Sequence, residues 1–123
     1  MTQDKRRRTV LIVEDEPALR QSYQRAFQPR YDLIFASTGA EAMELLNERA
    51  PDVAVLDMRL PDTDGIELLR RIRQRKPTLP VIITTAYMSI EPQLKVLDLT
   101  YSGYIVKPFR LDELGARIDA ALV

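Results

Sequence analysis

Five short apolar runs alternate with five segments of helical periodicity along this chain. Four of the runs are almost purely aliphatic or aromatic, as expected for strands buried on both faces of a parallel sheet. Repeated strand–helix order with short connections predicts right-handed crossovers and helices on both sides of the sheet. The predicted strands are Val10–Val13, Tyr31–Ala36, Val53–Leu56, Pro80–Thr84 and Tyr104–Val106.

Each predicted helix has an apolar face with three- or four-residue spacing. Ser37 or Thr38 is expected to cap the second helix, and Asp62 or Asp64 the third. The five faces are Leu19, Tyr23 and Ala26; Ala40, Met43 and Leu46; Ile66, Leu69 and Ile72; Ile90, Leu94 and Leu97; and Leu111, Leu114, Ile118 and Leu122.

The second run differs from the others because it contains Asp32, which predicts a strand at the edge of the sheet. The simplest arrangement is an α/β fold with flavodoxin-like (βα)5 topology, a doubly wound parallel sheet of strand order 2-1-3-4-5. Such folds bind ligands outside the carboxyl ends of the strands, at the switch point between strands one and three. Glu14, Asp15 and Asp57 fall at that point.

Polar residues at these strand ends suggest a metal-dependent reaction. Three neighbouring carboxylates repel each other unless one is protonated or a cation lies between them, and a site made only of oxygen atoms suits Mg²⁺. Glu14 and Asp15 would hold the ion together with Asp57, with Asp15 the better direct ligand. The backbone carbonyl of Arg59 could supply a further oxygen.

The same strand ends offer a nucleophile and groups that bind an anion. Asp57 is ionised at neutral pH, so it can form an acyl phosphate without a general base. The Thr85 hydroxyl and the Ala86 amide would donate hydrogen bonds to a phosphoryl oxygen, and Lys107 would neutralise phosphate charge. Together these residues suggest phosphoryl transfer to Asp57.

Each of these residues also has an ordinary structural explanation. Aspartate after a strand often caps a loop, and acidic residues before a helix complement its dipole. Threonine is common in strands, and lysine is mostly solvated. The phosphoryl-transfer hypothesis therefore depends on the combination at four strand ends.

Length and composition limit the alternatives. The 123 residues predict one domain over 9–123, after a flexible basic tail over 1–8. Eighteen basic and eighteen acidic residues balance, which argues against direct binding to nucleic acid or a membrane surface. The chain has no Cys and no His, which excludes thiol and imidazole chemistry. No apolar stretch approaches the roughly 20 residues of a membrane span, so we expect a cytoplasmic protein.

Four segments resemble the receiver domain of bacterial two-component response regulators: Val13–Pro17, Leu56–Asp62, Thr85–Tyr87 and Lys107–Phe109. The resemblance extends over residues 9–122. It implies that a sensor histidine kinase or histidine phosphotransfer protein donates a phosphoryl group to Asp57 in a Mg²⁺-dependent reaction, and that small donors such as acetyl phosphate also serve. It also implies that the domain catalyses only its own phosphorylation and dephosphorylation, and is not otherwise an enzyme.

The resemblance further implies a conformational switch. Phosphorylation would draw Thr85 toward the phosphoryl group and let Tyr104 turn inward, which repacks the surface of the fourth helix, fifth strand and fifth helix. That surface would control an output partner, which the sequence does not identify, or form a homodimer. The Lys107-Pro108 peptide is often cis in this family.

Two features depart from the family pattern. Thr100-Tyr101 stands where the family often has Gly-Ala, and Tyr87 lies near the expected mouth of the site, where it bears on the lifetime of the acyl phosphate. These departures leave open a receiver-like interaction module that does not depend on phosphorylation.

Two enzyme or carrier classes are less favoured. A flavodoxin-like FMN carrier needs a first loop that binds phosphate through backbone amides, whereas Glu14–Pro17 repels phosphate. A phosphatase resembling the haloacid dehalogenase group carries a second Asp two residues after the nucleophile, where this chain has Arg59.

Overall fold

A computed structural model describes residues 7–86 and 102–123 of the protein. The predicted fourth helix with its face Ile90, Leu94 and Leu97 lies outside the described residues. Tyr87 and Thr100-Tyr101 lie outside them as well, so the structure does not bear on either departure.

Five strands form one parallel sheet in the order β2-β1-β3-β4-β5. The flavodoxin-like arrangement is thus confirmed, and the strand that carries Asp32 lies at an edge as predicted. Asp57 is the register partner of Thr84 on the neighbouring strand. The strands are β1 Thr9–Val13, β2 Asp32–Ala36, β3 Val53–Asp57, β4 Val81–Thr85 and β5 Gly103–Val106.

Four helices lie within the described residues: α1 Pro17–Phe27, α2 Gly39–Arg49, α3 Gly65–Arg75 and the C-terminal helix Leu111–Ala121. Thr38 caps α2 by accepting a hydrogen bond from the Glu41 amide at 3.0 Å. None of these helices is long and apolar enough to cross a membrane.

The sheet separates two hydrophobic clusters. One lies between the sheet and α2 with α3, and we call this side the α2–α3 face. The other lies between the sheet and α1 with the C-terminal helix, and we call it the α1 face. Successive strand residues alternate between the faces, as expected for pleated strands. Val10, Ile12, Val53, Val55, Ile82 and Ile105 belong to the α1 face, and Leu11, Val13, Ala54, Leu56, Val81 and Ile83 to the α2–α3 face.

One predicted helix face is wrong in part. Ala40 is exposed, and α2 instead buries Ala42 and Leu46, with Met43 half-buried. Helical residues turn by about 100° each, so Ala40 lies roughly 200° from Ala42 and faces solvent.

Several predicted boundaries also shift by one residue, and Tyr31 and Leu122 are two examples. Tyr31 is not part of β2, because its amide donates to the Phe27 carbonyl at 3.0 Å and completes the turn after α1. Leu122 follows the C-terminal helix, which it still caps through hydrogen bonds from its amide to the carbonyls of Ile118 and Asp119.

The folded part begins before the predicted boundary at residue 9. The Arg7 guanidinium lies 3.4 Å from the Asp32 carboxylate and donates to the Tyr31 carbonyl at 2.5 Å. The Arg8 carbonyl accepts a hydrogen bond from the Asp32 amide at 2.9 Å. Arg7 and Arg8 are therefore attached to the edge strand β2.

Candidate functional site

The carboxyl ends of β1, β3 and β5 bring two carboxylates and an ammonium together. The Lys107 Nζ lies 2.5 Å from Asp57 Oδ1 and 3.7 Å from Glu14 Oε1. Glu14 is 2% exposed and Asp57 6% exposed. The two carboxylates are buried whereas the Lys107 side chain is 27% exposed, so solvent screens this ion pair only on the side of the ammonium.

Strand alternation explains why these three side chains meet. Each lies two residues beyond a side chain of the α1 face, so each is directed to the same side of the sheet. The pairs are Ile12 with Glu14, Val55 with Asp57, and Ile105 with Lys107.

Thr84 is a fourth member of this group that the sequence analysis missed. It is 1% exposed, and its hydroxyl lies 3.2 Å from Asp57 Oδ1 and 3.5 Å from the Leu56 carbonyl oxygen. In the sequence, Thr84 looks like the end of an apolar run. Alternation from Ile82 was the signal that could have assigned its side chain to the site.

The loop after β3 holds the second oxygen of the phosphoacceptor candidate. Asp57 Oδ2 accepts a hydrogen bond from the Arg59 amide at 3.1 Å. The Met58 amide donates to the Thr84 carbonyl at 2.9 Å, which continues the β3–β4 ladder into the loop. Both Asp57 oxygens thus accept hydrogen bonds, Oδ1 from Lys107 and Oδ2 from the Arg59 amide. The role of the Arg59 carbonyl as a metal ligand stays a prediction.

Glu14 is the least satisfied carboxylate of the group. Its Oε2 accepts from the Glu16 amide at 3.2 Å, whereas its buried Oε1 has no hydrogen-bond donor among the described residues. Burial raises the pKa of Glu14, and the negative charge of Asp57 raises it further. A buried acceptor without a donor costs free energy, which a bound cation would recover.

Lys107 experiences two opposing effects. Burial alone would lower the pKa of its ammonium, but the hydrogen bond and the charge of Asp57 outweigh burial and raise that pKa. Lys107 therefore keeps its positive charge and stays paired with Asp57.

The acidic residues fit a hard divalent cation. Glu14, Asp15 and Asp57 each offer a carboxylate oxygen, and these oxygens lie within 4.8 Å of one another. Within the described residues Lys107 lies beside Glu14 and Asp57, and Glu14 Oε1 still lacks a hydrogen-bond donor. Oxygen-only ligand sets of this kind suit Mg²⁺.

These groups open into a surface cleft rather than a closed cavity. The cleft has a volume of about 390 Å³ and is also lined by Glu16, Arg59, Leu60 and Pro61. Since a water molecule takes up roughly 30 Å³ of liquid, a phosphoryl group with a hydrated cation has room there.

Thr85 and Tyr104 have their side chains on the other side of the sheet, Thr85 at the end of β4 and Tyr104 within β5. Thr85 is the last residue of β4 and is buried, and its carbonyl accepts from the Lys107 amide at 2.6 Å. Alternation directs its side chain to the α2–α3 face. Tyr104 is half-buried and packs against the cluster on that face, while Ile105 joins the other cluster. The exposed Ala86 follows Thr85.

The phosphoryl-binding and switch roles of Thr85, Ala86 and Tyr104 stay predictions. One backbone feature of this region agrees with the resemblance, because the Lys107-Pro108 peptide is cis.

The loop that carries Asp57 is attached to α2 as well as to α3. Asp64 caps α3 by accepting from the Glu67 amide at 2.9 Å, which confirms one of the two predicted caps. Asp62 instead accepts from the Gly39 amide at 2.8 Å and the Ala40 amide at 3.0 Å. This carboxylate therefore joins the loop to the first turn of α2.

Gly39 is required for this close approach. A Cβ atom at Gly39 would lie only 2.6 Å from the Thr63 Cγ2 atom, so a larger residue would push the loop away from α2.

We expect Asp62→Ala to lower the free energy of unfolding by about 1 kcal/mol, the typical effect of losing a helix cap. The two amide hydrogen bonds lower the pKa of Asp62 from its ordinary 3.8. Its contribution is therefore complete above pH 3.8 and is lost as the pH falls through the lowered folded-state pKa. Chemical unfolding of both proteins between pH 2.5 and 7 measures the difference.

Asp112→Ala is a control, because Asp112 is an exposed carboxylate that pairs with Arg110 within the described residues. It should change stability by less than half as much. A gap between wild type and Asp62→Ala that widens toward low pH would contradict the assignment.

Comparison with known proteins agrees with the fold. The profile of the response regulator receiver domain matches residues 10–119. Response regulator MprA of Mycobacterium sp. strain KMS is 37% identical over 114 residues, which cover 92% of this chain and 50% of that protein. The chain spans about half the length of the curated relatives it matches.

Solved structures give the same result. The non-phosphorylated HemR receiver domain from Leptospira biflexa has a TM-score of 0.83 and 33% identity, covering 94% of each chain. The receiver domain of Francisella response regulator 1452 has a TM-score of 0.85 and 34% identity, covering 94% of this chain and 96% of that one. With the profile match over almost the whole domain, these similarities establish that the chain belongs to the response regulator receiver domain family.

Proposed function

We propose that this domain is a phosphorylation-switched signalling module that accepts a phosphoryl group on Asp57 in the cytoplasm. The donor would be a sensor histidine kinase or a histidine phosphotransfer protein. The observation that carries the proposal is the position of Asp57, whose carboxylate pairs with the Lys107 ammonium and clusters with Glu14 and Asp15 at an open cleft.

The chemistry follows from these contacts. An oxygen of the Asp57 carboxylate attacks the phosphorus of a donor phosphohistidine, the N–P bond breaks, and its electron pair returns to the imidazole nitrogen. No base is needed because the carboxylate is the nucleophile. Lys107 stays beside the reacting carboxylate and balances the negative charge that the phosphoryl oxygens bring.

Glu14, Asp15 and Asp57 would hold a Mg²⁺ ion, and the Arg59 carbonyl would add a ligand. The ion would supply charge neutralisation for the phosphoryl oxygens. Support for this assignment comes from the donor-free Glu14 Oε1 and from the clustering of three carboxylate oxygens.

The output step would begin at Thr85 and Tyr104. Thr85 would move toward the phosphoryl group and Tyr104 would turn inward, and the surface of the fourth helix, β5 and the C-terminal helix would repack. This change would control an output partner or a homodimer. Support comes from the location of Thr85 at the end of β4, next to the β5 segment that carries Tyr104 and Lys107.

Beryllofluoride, which mimics a phosphoryl group on a carboxylate, tests the proposal. With Mg²⁺ present, backbone amide NMR shifts should spread from Asp57 through Thr85 to Tyr104 and the C-terminal helix, and Asp57→Asn should show none. Absence of any change in the wild type would refute the phosphorylation switch. It would favour instead an interaction module that does not depend on phosphorylation.

A further inference from the structure

Thr84 makes a contact that the phosphoryl-transfer chemistry described above does not use. Its hydroxyl lies 3.2 Å from Asp57 Oδ1, the oxygen that also accepts from Lys107 at 2.5 Å. The other acceptor within reach, the Leu56 carbonyl oxygen, is more distant at 3.5 Å and carries no formal charge. A hydroxyl has one proton, so the nearer and ionised Asp57 oxygen is the preferred acceptor.

The position of this hydroxyl is fixed by the sheet. Thr84 is the register partner of Asp57 on the adjacent strand, and both side chains project from the same face. Thr84 is 1% exposed, so water does not compete for its proton. In this buried setting a hydrogen bond to a charged acceptor is stronger than one to a neutral acceptor.

The strength of this hydrogen bond changes during the reaction. Before phosphorylation the acceptor is a carboxylate with a full negative charge shared by its two oxygens. In the acyl phosphate the same group is an ester-like carbonyl with much less charge. The Thr84 hydroxyl therefore stabilises the unphosphorylated state of Asp57 more than the phosphorylated state.

We propose that Thr84 shortens the lifetime of the acyl phosphate by stabilising Asp57 as the leaving group. The inference rests on the proposed phosphorylation of Asp57. In hydrolysis, water attacks phosphorus, the bond between phosphorus and the Asp57 oxygen breaks, and its electron pair returns to the carboxylate. Inorganic phosphate leaves and a proton from the attacking water passes to solvent. Negative charge grows on the carboxylate in this step, and Thr84 donates to that charge.

A role in orienting the carboxylate would have different consequences. If Thr84 only held Asp57 in place, its loss would slow both phosphorylation and hydrolysis. If it stabilises the departing carboxylate, its loss slows hydrolysis alone, because the carboxylate that attacks the donor becomes no weaker as a nucleophile. The two rate constants therefore separate the two roles.

The experiment compares wild type, Thr84→Val and Thr84→Ser. Val keeps the branched shape without the hydroxyl, and Ser keeps the hydroxyl. Each protein is phosphorylated with acetyl phosphate and Mg²⁺, the donor is removed, and the surviving phosphoprotein is followed by phosphate-affinity gel electrophoresis. Thermal unfolding checks that the variants are folded.

We expect the acyl phosphate of Thr84→Val to survive about three- to tenfold longer, with an undiminished rate of phosphorylation. Thr84→Ser should decay at close to the wild-type rate. Equal decay rates in wild type and Thr84→Val, or parallel slowing of both steps, would overturn the inference while leaving phosphorylation of Asp57 intact. A wild type that takes up no phosphoryl group would overturn the proposed function itself.

Discussion

Replacement of Asp57 by Asn is expected to reduce phosphoryl incorporation from acetyl phosphate to background. The amide is uncharged, so it cannot attack phosphorus as a carboxylate does. The substitution keeps the size of the side chain, and its one carbonyl oxygen can still accept from either the Arg59 amide or the Lys107 ammonium, which contact different oxygens of Asp57. Incorporation is measured with labelled donor in Mg²⁺, and sensitivity of the label to hydroxylamine identifies an acyl phosphate.

Asp62→Asn is the matched control for this prediction. It removes a carboxylate from the same loop, but Asp62 contacts the first turn of α2 rather than the acidic cluster. The control should incorporate phosphoryl groups at close to the wild-type level. Undiminished labelling of Asp57→Asn would mean that another residue is the acceptor.

Lys107→Met should make the stability of the domain strongly dependent on Mg²⁺. The Lys107 ammonium is the cation that lies against both Glu14 and Asp57 in the described part of the chain. Without it, the carboxylates repel in a buried setting. Because the Lys107 side chain is 27% exposed, we discount the usual effect of breaking a buried pair to about 1–3 kcal/mol of lost unfolding free energy without Mg²⁺.

Added Mg²⁺ should raise the free energy of unfolding more in Lys107→Met than in wild type, because the ion is no longer repelled by a neighbouring ammonium. Thermal unfolding in chelator and in a Mg²⁺ series measures both quantities. Lys76→Met, which removes a lysine charge at the end of α3, should respond to Mg²⁺ as the wild type does. Equal Mg²⁺ effects in all three proteins would contradict a metal site beside Lys107.

The fold could be predicted because its strands are nearly continuous apolar runs. A short apolar run such as Val53–Leu56, within a repeated strand–helix order, indicates a strand buried on both faces. The charged Asp32 indicated that its strand lies at the edge of the sheet. The buried face of α2 was harder to predict. Ala40 and Ala42 are both small and apolar, and their spacing alone does not indicate which of them is buried. In the folded domain, tertiary packing buries Ala42 rather than Ala40.

Most of the acidic site could also be predicted, since the ends of parallel strands meet at one edge. Thr84 was missed because a threonine next to Ile83 looks like a strand residue, and its partner Asp57 is distant in sequence. The contact of Asp62 with α2 was missed for a different reason. An aspartate in a turn usually caps the helix that follows it. Nothing in the neighbouring sequence indicates that Asp62 instead accepts hydrogen bonds from α2, which precedes it in the chain.

The site is assembled from both ends of the chain, and this has a consequence for folding. Glu14, Asp15 and Asp57 belong to the first half, whereas Lys107 is 50 residues beyond Asp57 and follows the edge strand β5. Contacts between such distant segments tend to form late, because closing long loops costs entropy. A nascent or partly folded receiver would therefore present the acidic cluster without its ammonium. If the proposed function holds, the complete site with its ammonium would be available to accept a phosphoryl group only after the sheet is complete.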